Sequence, residues 1–189
     1  MKKILFSALA ASTLFVNLAN AKDYVVDTAH TEVGFKVKHL QVSNTRGNFG
    51  DFSGDIDFNP ETKVLNKLNA VVKIASINTG NDKRDDHLRT ADFFDAQKFP
   101  EMKFEMTKFI PDGDDKEEGK VVGNLTIKDV TKEVTFDYDF GGVIKNEQVD
   151  KIGFSLEGKI DRTEFGVGEA SLAVANKVEI ELEIEADAK

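Results

Sequence analysis

The chain has no cysteine, no tryptophan and only 3 histidines among its 189 residues, and its 25 basic side chains are outnumbered by 34 acidic ones. Without cysteine there is no disulfide, no thiol nucleophile, no thiolate metal site and no cysteine-linked lipid anchor, so the core alone must hold the fold. The acidic balance excludes the usual electrostatics of nucleic-acid binding, where Lys and Arg neutralise phosphates. It also disfavours docking by charge on an anionic membrane. No G-x-S-x-G, H-E-x-x-H or G-x-x-x-x-G-K-[ST] motif occurs.

What the chain does have begins with an export signal. Lys2 and Lys3 precede an apolar or small-residue run from Ile4 to Val16, and Ala19-Asn20-Ala21 has the small-x-small form of a cleavage site. That run is shorter than the roughly 18 residues expected of a membrane-spanning helix. We therefore expect residues 1–21 to be removed, leaving residues 22–189 as a single domain with no stable membrane insertion. Removal takes two lysines and no acid, so the formal charge of −9 becomes −11. Thirteen of the 15 phenylalanines remain, since only Phe6 and Phe15 precede the cleavage site.

Period-two alternation dominates the remainder. Apolar or small residues alternate with polar ones from Thr31 to Lys38 and from Phe52 to Asn59. They do so again through Leu68–Ile74, Met102–Met106, Val121–Ile127, Val134–Phe140, Ile152–Ile160 and Val178–Ile184. This gives eight strands, with a short ninth at Tyr24–Val26, each half-buried as in antiparallel sheets. Asn59-Pro60, Pro111-Asp112-Gly113, Asp129-Val130 and Gly141-Gly142 read as punctuation between strands. Residues 111–119 read as an acidic loop. Asn81 to Phe99 lacks alternation and carries cap-like Asn81 and Asp82, which predicts one or two short helices ending before Pro100. The expected fold is an all-β, eight-stranded antiparallel barrel with a short helical insert, since closure removes exposed edges.

A barrel of about eight strands can be filled or can hold one small ligand. Gly54, Ala70, Gly123 and Gly158 fall on apolar faces where a filled core would carry larger side chains; they mark either sharp bends or an internal cavity. The expected lining is Phe35, Val37, Phe104, Phe136, Tyr138, Phe154, Leu156 and Leu182, with Leu88, Phe93 and Phe94 of the insert closing one end. His30 and His39 lie nine residues apart on one strand, roughly 30 Å if extended, so they cannot share a metal, and His87 could join only one of them. Glu179, Glu181, Glu183 and Glu185 point outward on the last strand, placed to pair with lysines. Asp161-Arg162 next to Phe165-Gly166 is either a turn held by Arg162 against a carboxylate or a polar contact at the mouth of a cavity.

Five blocks carry a resemblance. Asp27-Thr28-Ala29-His30-Thr31 with Val33-x-Phe35-x-Val37-x-His39, and Gly47-Asn48-Phe49-x-x-Phe52-x-Gly54, resemble the opening of the YceI-like family. Asp86-His87-Leu88-Arg89-Thr90-x-Asp92-Phe93-Phe94-Asp95 with Phe99-Pro100 is similar to its helical signature. Gly123-Asn124-Leu125-Thr126-Ile127-x-Asp129-Val130-Thr131-Lys132 and Asp161-Arg162-x-x-Phe165-Gly166 resemble its later blocks. Thr31 and Lys128 stand where the family commonly has Ser or Gly. The resemblance implies a lipocalin-like barrel in the bacterial periplasm that holds a polyisoprenoid or an isoprenoid quinone. It carries over no catalytic residues and implies dimers in many members; from the residues themselves no metal and no cofactor are expected. A ligand-free scaffold or stress-response protein, or an enzyme using the histidines, would be the alternatives.

Overall fold

The computed structural model describes residues 21–114 and 116–189; the expected export signal lies, apart from Ala21, outside them. The strands are β1 (Lys22–Val26), β2 (Glu32–His39), β3 (Ser43–Phe49), β4 (Phe52–Asn59), β5 (Val64–Lys73) and β6 (Ile77–Asn78). Helix α1 (Asp82–Arg89) follows, then β7 (Glu101–Asp112), β8 (Glu118–Ile127), β9 (Val130–Lys145), β10 (Asp150–Asp161) and β11 (Val174–Ala188). Every pairing is antiparallel, and β1-β4-β5-β7-β8-β9-β10-β11 closes on itself as an eight-stranded barrel through β1–β11. β2, β3 and β6 continue the wall: β2 runs beside β11, β3 beside β2, and β6 beside β3.

The kink between β1 and β2 is stitched to β11. The Asp27 amide and the Thr31 hydroxyl both donate to the Glu185 carbonyl, and Thr31 Oγ1 accepts from the Glu185 amide. Period-two alternation located every long strand except β3, whose Ser43-Asn44-Thr45-Arg46-Gly47-Asn48 run has no apolar rhythm; its register comes from pairing with β2. Two expected breaks lie inside strands. Gly141-Gly142 forms a bulge within β9 where the register against β10 shifts, and Gly142 has φ +145°. Pro111 lies within β7, which has passed the end of its ladder with β5 at Glu105 and keeps only β8 as a neighbour. A proline without an N–H is tolerated at such an edge. β7 thus runs to Asp112 and β8 begins at Glu118, inside the expected acidic loop of residues 111–119.

The insert is held by its polar residues. Asn81 caps α1, its Oδ1 accepting from the Arg84 amide at 3.1 Å. Buried Asp85 accepts from the amide and hydroxyl of Thr79. Arg89 donates to the carbonyls of Ala75 and Ile77 at 3.0 and 2.9 Å. These bonds clamp α1 over the β5–β6 end of the barrel, where Leu88 and Phe94 pack on Phe49, Ile74 and Ile77.

Candidate functional site

The barrel interior has three layers. At the end formed by the β4–β5, β7–β8 and β9–β10 connections, aromatic rings fill the space. Phe58 stacks on Phe140 at 5.5 Å and meets Tyr24 edge-on, while Tyr138 lies 5.1 Å from Phe109 and 5.4 Å from Phe154. At the other end α1 and the segment after it form a lid, with Phe94 edge-on to Phe49 and Phe49 tilted against Phe35. Between floor and lid lies a cavity of about 210 Å³.

The cavity is narrow and long. On β11 alone it touches Val174, Val178, Ile180, Leu182 and Ile184, a stretch of roughly 30 Å at about 3.3 Å per residue. The residues along it are apolar apart from Thr31, Ser53, Lys103 and Arg162, and Lys103 turns its ammonium outward to Glu101. Phe35, Val37, Leu88, Phe93, Phe94, Phe104, Phe136, Leu156 and Leu182 are among the lining residues. Tyr138 and Phe154 are not; both face inward but belong to the packed floor, 2% exposed each. Alternation tells which side of a strand a residue occupies and says nothing of its depth along the barrel, so lining and floor residues look alike in sequence. Phe49, Met102, Leu125, Val178 and Ile180 also line the cavity and did not enter the expected set; Val178 and Ile180 were within reach, being in phase with Leu182.

Two of the inward-facing glycines, Gly123 and Gly158, make room for aromatic rings beside the cavity. A Cβ at Gly123 would come 2.4 Å from Phe104 Cζ, and one at Gly158 would come 2.6 Å from Phe136 Cδ1. Each glycine lies beneath an aromatic ring from a neighbouring strand. The two rings meet edge-on at 5.6 Å and both line the cavity. The glycines thus let Phe104 and Phe136 lie flat against the wall, which keeps the channel open beside them.

The histidines form no common centre. His30 Nδ1 lies 2.8 Å from Asp27 Oδ2, His87 Nε2 lies 3.1 Å from Asp92 Oδ2, and His39 ends β2 opposite Ser43. Asp27, His30 and Glu185 are the only cluster of three potential metal donors among the described residues. Lys151 already supplies the cation there, contacting Asp27, Glu185 and Asp187. Hydrogen bonds from Lys151 and His30 hold the Asp27 carboxyl far below its usual range, and those to Asp27 and Asp187 raise Lys151. On the outer wall, Glu179 pairs with Lys36 and Lys159, Glu181 with Lys36 and Arg46, and Glu185 with Lys151.

Arg162 opens a 3-10 turn (Arg162–Phe165) after β10 and is 6% exposed. It does hold a turn, but against carbonyls rather than a carboxylate. Nε donates to Ala175, Nη1 to Val167, and Nη2 to Glu169 and Val174, all at 2.8–3.0 Å. Burial pulls its pKa below the usual arginine value.

A closed antiparallel barrel with an apolar internal channel, an aromatic floor and a helical lid defines a class of small binding barrels. The YceI-like domain model matches residues 24–186, so the chain belongs to the YceI-like family. A UPF0312 protein of Vibrio campbellii is 38% identical over 191 residues, with 98% of each chain covered. The crystal structure of a Campylobacter jejuni YCEI protein superposes with a TM-score of 0.74 at 46% identity, covering 86% of this chain and 96% of that one. A polyisoprenoid binding domain from Saccharophagus degradans, implicated in plant cell wall breakdown, gives 0.66 at 12% identity, covering 88% and 98%. At that identity the likeness concerns the fold alone. No helix among the described residues is long and apolar enough to cross a membrane.

Proposed function

We propose that this protein is an exported, periplasmic binding or carrier protein that holds the tail of a long polyisoprenoid or isoprenoid quinone in the barrel channel and carries out no catalysis. The mature chain of this proposal begins at Lys22. The observation that carries it is the shape and chemistry of the channel: about 210 Å³ drawn out beside most of β11, with an almost wholly apolar lining. A space that long and thin suits a flexible hydrocarbon chain better than a compact molecule. Each buried CH₂ contributes roughly 0.8 kcal/mol, so a few isoprene units offer on the order of 10 kcal/mol before ordering costs. The Saccharophagus domain of the same fold, described as polyisoprenoid binding, supports the same ligand class.

In this proposal Phe35, Val37, Phe104, Phe136, Leu156 and Leu182 contact the tail, and Leu88, Phe93 and Phe94 cover it. The test is mass spectrometry of a solvent extract from mature protein purified without detergent. A prenyl lipid in near-stoichiometric amount is expected. Ala70→Trp, which puts a large ring at a lining position, should lower that amount in a folded protein. An extract without any prenyl lipid, or undiminished occupancy in Ala70→Trp, would overturn the proposal.

A further inference from the structure

We infer that the β2–β3 turn and the loop before β11 form a tip that docks the barrel on an anionic phospholipid bilayer. The docking stands without the ligand proposed above; its use, passing an apolar chain between bilayer and channel, rests on that reading. Among the described large apolar side chains Leu172 and Val42 are the most exposed, at 92% and 82%, and Leu40 is 53% exposed. The other exposed ones, Val25, Ile110, Val143 and Ile144, lie on strands. Leu40, Val42 and Leu172 share the end of the barrel opposite the floor. There the Leu40 amide donates to the Ala173 carbonyl at 2.9 Å, which sets the two loops side by side.

Folding does not account for these side chains. The Val42 amide donates to the His39 carbonyl at 3.1 Å, and Leu40 and Gln41 between them have φ +48° and +60°. Both central positions of such a turn favour Asn or Gly. A leucine there suits neither the backbone nor water, and a local conflict of this kind marks a functional position. The channel supplies the function. It reaches Val37 and Val174; Val174 pairs with His39, the residue before the turn, and follows Ala173 directly. The apolar surface inside the barrel thus ends within a few residues of the apolar surface outside it.

Charge selects the partner. The chain is acidic overall, yet no acid occurs from Val33 to Gly50, a stretch with Lys36, Lys38 and Arg46. Lys36 and Arg46 pair with Glu179 and Glu181 on the outer wall, while Lys38 is exposed near the end of β2. The loop before β11 adds one acid, Glu169. At the floor end the β7–β8 connection carries Asp112, Asp114, Glu117 and Glu118 against Lys116. An anionic surface therefore repels the floor and admits the tip, which turns the end of the channel toward the lipid. A two-fold contact between tips would instead bring the Lys38 residues of both copies together.

The test is flotation of the mature protein with unilamellar vesicles, one set of phosphatidylcholine alone and one with phosphatidylglycerol in equal part. Wild type should float with the mixed vesicles and less with phosphatidylcholine. The double variant Val42→Glu, Leu172→Glu should keep its Tm and bind the mixed vesicles at least about tenfold more weakly, since two apolar side chains no longer enter lipid. Lys38→Gln should weaken binding about fivefold. Wild type that floats with neither vesicle, equally with both, or no better than the double variant would overturn the inference. A dimer that the double variant breaks, without flotation, would give the tip to a second copy and overturn it too. Protein that floats but yields no prenyl lipid on extraction would overturn the proposed ligand and leave the docking surface standing.

Discussion

The contact between Gly123 and Phe104 can be tested with one methyl group. In Gly123→Ala the new Cβ would lie 2.4 Å from Phe104 Cζ and 2.6 Å from the Glu105 carbonyl oxygen. The ring would have to turn away from the wall, and the carbonyl belongs to the β7–β8 ladder, where Met106 faces Gly123. Overpacking of this kind costs about 1–3 kcal/mol, against a gain of about 0.4–1 kcal/mol from the stiffer unfolded chain. Gly50→Ala isolates the first quantity, because a Cβ there meets nothing within 4 Å and carries the same unfolded-state gain. The difference between the two variants should therefore be about 1–3 kcal/mol in urea unfolding. For a domain of this size that is roughly 2–12 °C in Tm. The displaced ring should also narrow the channel and lower prenyl-lipid occupancy in the folded variant. If Gly123→Ala and Gly50→Ala unfold at the same urea concentration, the ring does not lie over the glycine, and this account of how the channel is kept open fails.

Two further outcomes follow from buried and paired groups. The Tyr138 hydroxyl is buried and has no hydrogen-bond partner among the described residues, and burial raises its pKa. Tyr138→Phe should therefore stabilise the barrel by about 1–3 kcal/mol in urea unfolding; a loss of stability would mean that something satisfies the hydroxyl. The Asp27 carboxyl has a folded pKa well below its usual 3.8. Its stabilisation is thus fully present above that value and is lost as pH falls through the folded pKa. Asp27→Asn should reduce stability at pH 7 and make the decline in acid shallower; an unchanged acid limb would show that the Asp27–Lys151 pair adds nothing to folding.

Sequence and structure agree best where one residue type answers one local need. Asn81 caps α1 because its side chain reaches the Arg84 amide, and alternation separated the inward Leu182 and Ile184 from Glu181 and Glu183 beside them. They part where the need is set by a neighbouring strand. β3 is held by the ladder with β2 rather than by any apolar rhythm of its own. Gly141-Gly142 breaks nothing because β10 absorbs the bulge.

By itself, then, the sequence determined the barrel, its helical insert and which faces turn inward, because period-two patterning and cap chemistry act within a few residues. Only the tertiary structure decided how deep each inward residue sits. Tyr138 and Phe154 went to the floor and Phe104 and Phe136 to the channel, the latter pair because Gly123 and Gly158 on neighbouring strands leave room for their rings. It also decided that Arg162 would be buried among carbonyls, since two of those acceptors lie in the loop before β11 and two at the start of β11, and they surround it only once β11 has joined the barrel. Space and counter-charge are shared among strands far apart in the chain, so no local pattern records them.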